Sequence, residues 1–489
     1  MLPDHAEIVV LGGGTAGCAL AGRLARRHRV LVLEAGPDYG PDRSSWPADL
    51  LDATTLPASH DWGYRSGRHT FDRCRVIGGC STHNGCTQNS GWAGDYDAWA
   101  AAGSPGWDSA SLRPLFDEAA ARMRLRSYRD EEIQPFQRSF IAAGAKLGLP
   151  VRQDFDRLDG EAGIGCAPVN ITPGGVRVNT AFAYLDPVRD RGNLTVVGGV
   201  RADRVVLDNG RAVAVDVLTA DGRRHRIGTG LIVLSAGAYG SPEVLLRSGI
   251  GPAAHLTEAG VPVRHHLPGV GENLHDHPSV QLEFAATAEL AADLAAFFRD
   301  RFLPDEQALA KIRSPYAGDA PYDLHIYPWT ERDETLEHGW RCVVAVGLLN
   351  PRSRGTVRLN PAAPGALADI DHAYLAHPDD LAALAHGLDR ARELDLSPCL
   401  GTPLLTPDGG DTRDWIRANH RHYWHPAGSC RMGPAGDPYA VVDHTGKVHG
   451  LEGLHIADAS VFPQVPRGTP ALPTTVVGER VAAFIEETL

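Results

Sequence analysis

Lysines, paired cysteines and long apolar runs are scarce in this 489-residue chain, and each shortage excludes something. Only three of its 47 cations are lysines (Lys146, Lys311, Lys447), and 60 carboxylates outnumber the cations, leaving a formal charge of −13. So acidic a chain has no surplus of cations to neutralise phosphates, and nucleic acid is not expected as a partner. Nowhere do the ~18 consecutive apolar residues of a membrane-spanning helix occur, so no membrane span is expected. The opening residues, MLPDHAE, offer neither a basic segment nor a cleavage site, and no secretory signal is expected. The eight cysteines form no CxxC pair, and Cys80 and Cys86 have the wrong separation for a zinc knuckle. Reduced thiols and a cytoplasmic location fit best. Neither a GxSxG elbow nor a P-loop occurs, which disfavours a hydrolase.

What is present describes a globular protein, with 43% apolar and 22% charged residues. The length predicts two intimately joined domains, each burying a core. The 54 glycines and 35 prolines predict many turns and some close backbone approaches. Glu7 to Gly12 reads as a buried strand, Ala16 to Arg27 as an apolar-patterned helix, and Val30 to Leu33 as a second strand ending at Glu34. The turn between strand and helix, GGGTAG, fits GxGxxG. Gly12 permits the tight turn, Gly14 lets the backbone approach a pyrophosphate at the helix N-terminus, and Gly17 packs helix on strand. Glu34 stands where an acid would hydrogen-bond a ribose. The pattern points to a dinucleotide site rather than a chance glycine turn.

Further along, Asp203 to Thr219 and Arg223 to Leu234 alternate like strands, with a hairpin signal at Asp221-Gly222. The region from about 285 to 420 mixes strand-like runs (Leu324 to Tyr327, Cys342 to Leu349, Gly355 to Leu359) with a helical one (Leu381 to Leu394), as in an α+β domain. A buried strand at Gly453 to Ala457 and a helix from about Thr474 to Glu487 close the chain.

Five stretches, in order, carry a resemblance. They are DWGYR (61–65) with CRVIGGCSTHNG (74–85) and DYDAW (95–99); SAGAYGSPEVLLRSGIGP (235–252); PGVGENLHDHP (268–278); HPAGSCRMG (425–433); and ADASVFP (457–463). Together with the GxGxxG unit, they make the chain resemble the glucose-methanol-choline oxidoreductases, flavoproteins that oxidise alcohols. The resemblance implies an α/β fold: a Rossmann-like FAD-binding domain with a discontinuous α+β substrate domain built on a mainly antiparallel sheet. The expected FAD-binding parts are 1–110, 160–285 and 421–489, with 111–159 and 286–420 forming the substrate domain and connections. By motif, Gly12, Gly14, Thr15, Ala16, Gly17 and Glu34 would hold the ADP part and Val205 would meet the adenine. Gly79, Asn84, Gly85, Asp458 and Ala459 would line the flavin side.

Oxidising an alcohol requires a base for the hydroxyl proton while hydride passes to flavin N5. His425 matches the family's catalytic histidine. His420 and His422 stand beside it, but no carboxylate or cysteine completes a believable metal ligand set, and no metal is expected. The family's second active-site residue is a histidine or asparagine, and this chain has Thr469 in its place. A threonine can hydrogen-bond a substrate oxygen but cannot share a proton as imidazole can. His83 occupies the position where members resembling choline oxidase join a histidine covalently to the flavin 8α-methyl, with an unlinked, flavin-contacting histidine as the alternative. Gly85 replaces the serine of those members, so choline itself is not supported. His275-Asp276-His277 reads as a structural turn without chemistry. Tyr423, Trp424, Tyr327 and Trp329 are candidates for the wall of a pocket for an aromatic or bulky apolar alcohol, with core packing as the alternative.

The expected partners are thus a small-molecule alcohol and dioxygen or another electron acceptor. The rival reading is a lyase of the same fold that achieves no net oxidation, which the Thr469 replacement favours. A nicotinamide dehydrogenase fits the GxGxxG alone and none of the later motifs.

Overall fold

The computed structural model describes residues 2–153, 155, 157–299, 307–363, 365–407 and 409–489. Its first sheet starts from the βαβ unit: His5–Leu11 and Val30–Leu33 pair in parallel, with the helix Thr15–Leu24 between them. Leu194–Val197 extends the sheet beyond Val30–Leu33, and Arg224–Leu234 lies along His5–Leu11. The first residues of Arg224–Leu234 also take an antiparallel partner, Arg211–Thr219, and its last three take the parallel strand Leu454–Ile456. The run Ile8-Val9-Val10-Leu11 is apolar without alternation because both faces of the parallel core are covered. The stretch expected as one strand from Asp203 to Thr219 is two, Val200–Asp208 and Arg211–Thr219, folded back at Asn209-Gly210. Both turn residues have positive φ (46° and 77°), the backbone of a tight hairpin turn that Asn-Gly favours.

The second sheet is antiparallel throughout, in the order Leu400–Leu405, Pro278–Ala286, Trp340–Leu348, Leu324–Arg332, Ala308–Ile312, Gly163–Cys166. Arg421–His422 adds a short pairing to Pro278–Ala286. The expected boundaries therefore shift: Gly163–Cys166, most of Pro278–Ala286 and Arg421–His422 fall within the ranges expected for the FAD-binding part, yet they pair into this sheet. Strand pairing, rather than position along the chain, decides membership. The helices Pro135–Lys146, Ala288–Phe297 and Pro378–Arg392 cover one face through a core that includes Leu324, Ile326, Val344 and Val346. By the period of two, Tyr327 and Trp329 project from the other face, where they join Tyr423, Tyr322 and Phe155.

The turns at Ser235 and Gly79 and the final helix meet around the glycine turn. The final helix, Ala471–Thr488, packs on Thr15–Leu24 so closely that a Cβ at Gly478 would lie 2.3 Å from the Ala16 carbonyl oxygen. Gly→Ala inside a helix ordinarily gains about 1 kcal/mol of propensity. At this position the backbone contact reverses the sign, and Gly478→Ala is expected to destabilise the fold by about 1–3 kcal/mol. A thermal melt by circular dichroism checks this; a melting temperature at or above that of the unaltered protein would contradict the packing.

Candidate active site

One large cavity, of about 750 Å³, runs between the sheets. At one end it is walled by Gly12, Gly14, Thr15, Ala16 and Glu34, and in the middle by Gly79, His83, Asn84, Gly85, Asp458 and Ala459. At the other end stand Tyr327, Trp329, Tyr423, Trp424, His425 and Thr469. Gly17 lies just behind the wall, where a Cβ would come within 2.1 Å of the Gly12 carbonyl oxygen. Val205 does not line the cavity. It is buried in the sheet, its N–H donating to Ser248 Oγ at 2.8 Å, and Val200, Arg201 and Ala202 occupy that end instead. The strand carries a register shift between Ala202 and Arg204, and only the residues before it reach the cavity.

The nucleotide end is built from backbone. Gly12 has φ +104°, and a Cβ there would meet the Ser235 carbonyl oxygen at 2.4 Å. Glu34 is buried and accepts from the N–H groups of Gly13 (2.9 Å) and Gly36 (2.8 Å). Burial raises its carboxyl pKa against those donors. Asp458 is held in the same manner, accepting from Gly237 N–H at 2.9 Å, Ser241 Oγ at 2.5 Å and Ser460 N–H at 2.8 Å. A bare glycine turn at a helix N-terminus, with a fixed carboxylate beside it and space continuing past Gly79, fits a dinucleotide as long as FAD.

In the middle, the short turn Gly79–Thr82 carries Cys80 and ends at His83. Burial opposes ionisation of the Cys80 thiol, but the Arg73 guanidinium and the His83 ring outweigh it and bring the pKa down to about 6. Arg73 also donates to the carbonyl oxygen of Trp424 at 3.1 Å. Trp424 itself has φ +58°, a left-handed backbone that a bulky residue adopts only under constraint. That strain sits immediately before His425.

His425 is fixed from two sides by the segment read from sequence as a turn without chemistry. Its backbone N–H donates to Asp276 Oδ1 at 2.8 Å, and its Nδ1 lies 2.9 Å from Nδ1 of His277. Asp276 takes a second donor, the Tyr374 hydroxyl, at 2.8 Å. His275 completes the strap, accepting from Val465 N–H at 2.8 Å while its backbone pairs with Ala427. Burial, then His277 and Arg73, push the His425 pKa well below its ordinary value, so the imidazole is neutral at pH 7. The family segment at 268–278 was legible, but nothing in the spacing of His277 and His425 announced that their rings would meet.

Thr469 lines the cavity, yet its hydroxyl is committed: it donates to the Thr87 carbonyl at 3.1 Å and accepts from Asn89 N–H at 3.2 Å. The aromatic residues form a wall. Tyr327 and Tyr423 stack with centroids 4.8 Å apart and planes 1° from parallel, and Trp329 stacks on Tyr327 at 5.6 Å. Gln281, Glu331 and Arg421, none anticipated, add polar groups to this end. Among the described residues, no group of three or more histidine, cysteine or acidic side chains is placed to hold a metal ion. All eight cysteines are free, and among the described residues no helix is long and apolar enough to cross a membrane.

The comparisons with known proteins agree with this geometry. Models of the N-terminal and C-terminal domains of the GMC oxidoreductases match residues 6–279 and 351–478. The chain belongs to the glucose-methanol-choline oxidoreductase family and is an oxidoreductase. It is 31% identical to the oxygen-dependent choline dehydrogenase of Photobacterium profundum, over 98% of this chain and 92% of the relative. The protein of that name from Brucella canis is 32% identical, over 98% and 95%. Among solved structures, pyridoxine 4-oxidase from Mesorbium loti superposes with a TM-score of 0.85 at 30% identity, covering 99% of both chains.

The Asp276 environment makes a testable demand. Burial raises this carboxyl to a pKa of about 6, against ~3.9 for an unperturbed aspartate. Between those values the folded state binds the proton and the unfolded state does not, so this group's contribution to stability is full below pH ~4 and is lost as pH rises towards 6. Asp276→Asn cannot titrate and offers one acceptor oxygen to two donors, a loss of about 1–3 kcal/mol. Denaturant titrations of both proteins should show the stability difference between wild type and Asp276→Asn shrinking from pH 4 to pH 6 and levelling above pH 7. A difference that stays flat across this range would refute the buried, proton-binding carboxyl.

Proposed function

We propose that the chain is an FAD-dependent enzyme that oxidises the CH–OH group of an aromatic or bulky apolar alcohol, with His425 as the base. The observation that carries this reading is the single cavity joining the glycine turn at one end to His425 and the aromatic wall at the other. FAD, when bound, supplies the hydride acceptor, N5 of its isoalloxazine. The residues around Gly12, Gly14 and Glu34 would hold its ADP part, and Gly79, Asn84, Gly85, Asp458 and Ala459 its flavin part. His425, held neutral by burial, takes the hydroxyl proton of the alcohol. Tyr327, Trp329 and Tyr423 orient the rest of the substrate by stacking, and Arg73 adds a positive charge that favours negative charge developing on its oxygen. Thr469, with its proton already donated to Thr87, offers the cavity a methyl group and at most one lone pair. The acid–base work therefore falls to His425.

His83 would carry a covalent bond to the flavin; its place on the cavity wall, at the end of the Gly79–Thr82 turn and against Cys80, supports that role. The purified protein is expected to be yellow, and after acid precipitation the colour is expected to stay in the pellet. His83→Ala should release it to the supernatant. Colour released from the unaltered protein would discard the bond and keep the flavoenzyme, whereas a colourless protein unable to take up FAD would overturn the reading.

For the base, His425→Gln is expected to slow anaerobic, substrate-dependent bleaching of the flavin by about 10²–10⁴-fold. Stopped-flow absorbance with a panel of aryl alcohols, together with choline and pyridoxine from the relatives' names, makes the measurement. Product formed with no bleaching at any stage would instead favour the lyase reading.

A further inference from the structure

His277 does not line the cavity, and nothing in a turn requires its ring to meet that of His425, yet the two Nδ1 atoms are 2.9 Å apart with ring planes at 90°. One of these nitrogens carries a hydrogen and the other accepts it; two protonated or two bare nitrogens would repel. The surroundings of His277 decide which. Its ring lies beside the backbone carbonyls of Leu349 and Pro466, which can only accept, and Nε2 is the ring nitrogen left to face them, although it makes no well-formed bond. A hydrogen on Nε2 suits that setting and a lone pair does not. The charged and titratable groups facing His277 are Arg467, His275, His325 and His425, and none is an anion that would favour an imidazolium. Around His425 stand Arg73, His277, His325 and His422, again without an anion facing the ring.

We infer that His277 is a positioning residue that sets the tautomer of His425: His277 keeps its hydrogen on Nε2 and accepts at Nδ1 from His425 Nδ1–H, leaving the Nε2 lone pair of His425 to the cavity. This rests on His425 being the base. The same bond fixes the rotation of the His425 ring, which the Asp276 bond to the backbone N–H leaves free. The arrangement is the one a carboxylate usually provides for a catalytic histidine. Here a neutral imidazole does it, so no buried negative charge is introduced beside the substrate.

The experiment uses the holoenzyme, two variants of His277, and His425→Gln as the reference. In His277→Leu nothing accepts from His425 Nδ1, and the anaerobic bleaching rate should fall by roughly 10–100-fold with KM changed little. In His277→Asn the amide oxygen stands close to where Nδ1 stood, and the rate should recover to within about 5-fold of wild type, a rescue that loss of packing would not show. Long-range 1H–15N spectra of histidine-labelled holoenzyme, with the His425 signals assigned by their loss in His425→Gln, should show Nδ1 protonated and Nε2 bare at pH 7. That readout needs no turnover, and it remains decisive if His277→Leu fails to fold. A protonated Nε2 on His425 would overturn the inference, and so would a wild-type bleaching rate in His277→Leu while His425→Gln is slow. Rapid bleaching in His425→Gln would instead remove His425 as the base, a separate failure.

Discussion

The close approach of backbone to backbone at the first turn is the constraint on which the rest of the structure depends. The Gly12 carbonyl lies against Gly17, the Ser235 carbonyl against Gly12, and the Ala16 carbonyl against Gly478, each at a distance that leaves no room for a Cβ. Three segments more than 200 residues apart are drawn together by these contacts. Ser235 follows the strand Arg224–Leu234, and its hydroxyl donates to the carbonyl of Ala457 at 2.9 Å, which brings in the segment that carries Asp458. The turn that leaves N–H groups bare at the head of the helix also sets the distance from the first sheet to the last helix. A cavity that begins at Gly12 and passes Asp458 follows from that geometry.

At the far end of the cavity, electrostatics takes over from packing. The surroundings of His425 are basic or neutral: Arg73, His277, His325 and His422 all disfavour its protonation, and burial does so most of all. His325 is fully buried with both ring nitrogens unbonded among the described residues, and Lys311, its partner across the strand pair, is buried too. The nearest carboxylate, Asp276, meets the backbone of His425 rather than its ring. Burying imidazoles is costly for their charged forms, so the histidines respond by staying neutral. A neutral imidazole is the form that the proposed base requires.

Much of this was legible in the sequence because it is local. The GxGxxG turn, the strand that precedes it and Glu34 lie within one βαβ unit, and Gly12 and Gly17 there leave no room for a Cβ, as the spacing implies. The motif stretches carried the cavity wall from Gly79 to Gly85 and from Asp458 to Ala459 for the same reason. Val205 failed because a register shift at Ala202/Arg204, which no pattern of apolar residues announces, decides which part of the strand reaches the cavity. The Asn209-Gly210 hairpin was readable from its dipeptide, but the flanking alternation continued in phase and hid it. His277 could not be read at all: 148 residues separate it from His425, and the antiparallel pairings of His275 with Ala427 and of Pro278 with His422 bring them together.

The aromatic wall shows how a substrate site is shaped by what is missing as much as by what is there. Tyr423 lies flat on Tyr327 because the strand opposite presents Gly347, where a Cβ would sit 2.8 Å from the Tyr423 ring. Any larger residue at 347 would tilt that ring off its partner. Because Tyr423 is two residues before His425, the tilt would be felt at His425, whose ring centroid is 4.4 Å from that of Tyr423. The strained backbone of Trp424 couples the two positions, since a residue held at φ +58° by Arg73 on its carbonyl has little freedom to absorb a shift on either side. The shape of the aromatic wall and the position of His425 are therefore one structural variable in this chain, and a change in the wall would also move the atom proposed to take the substrate's proton.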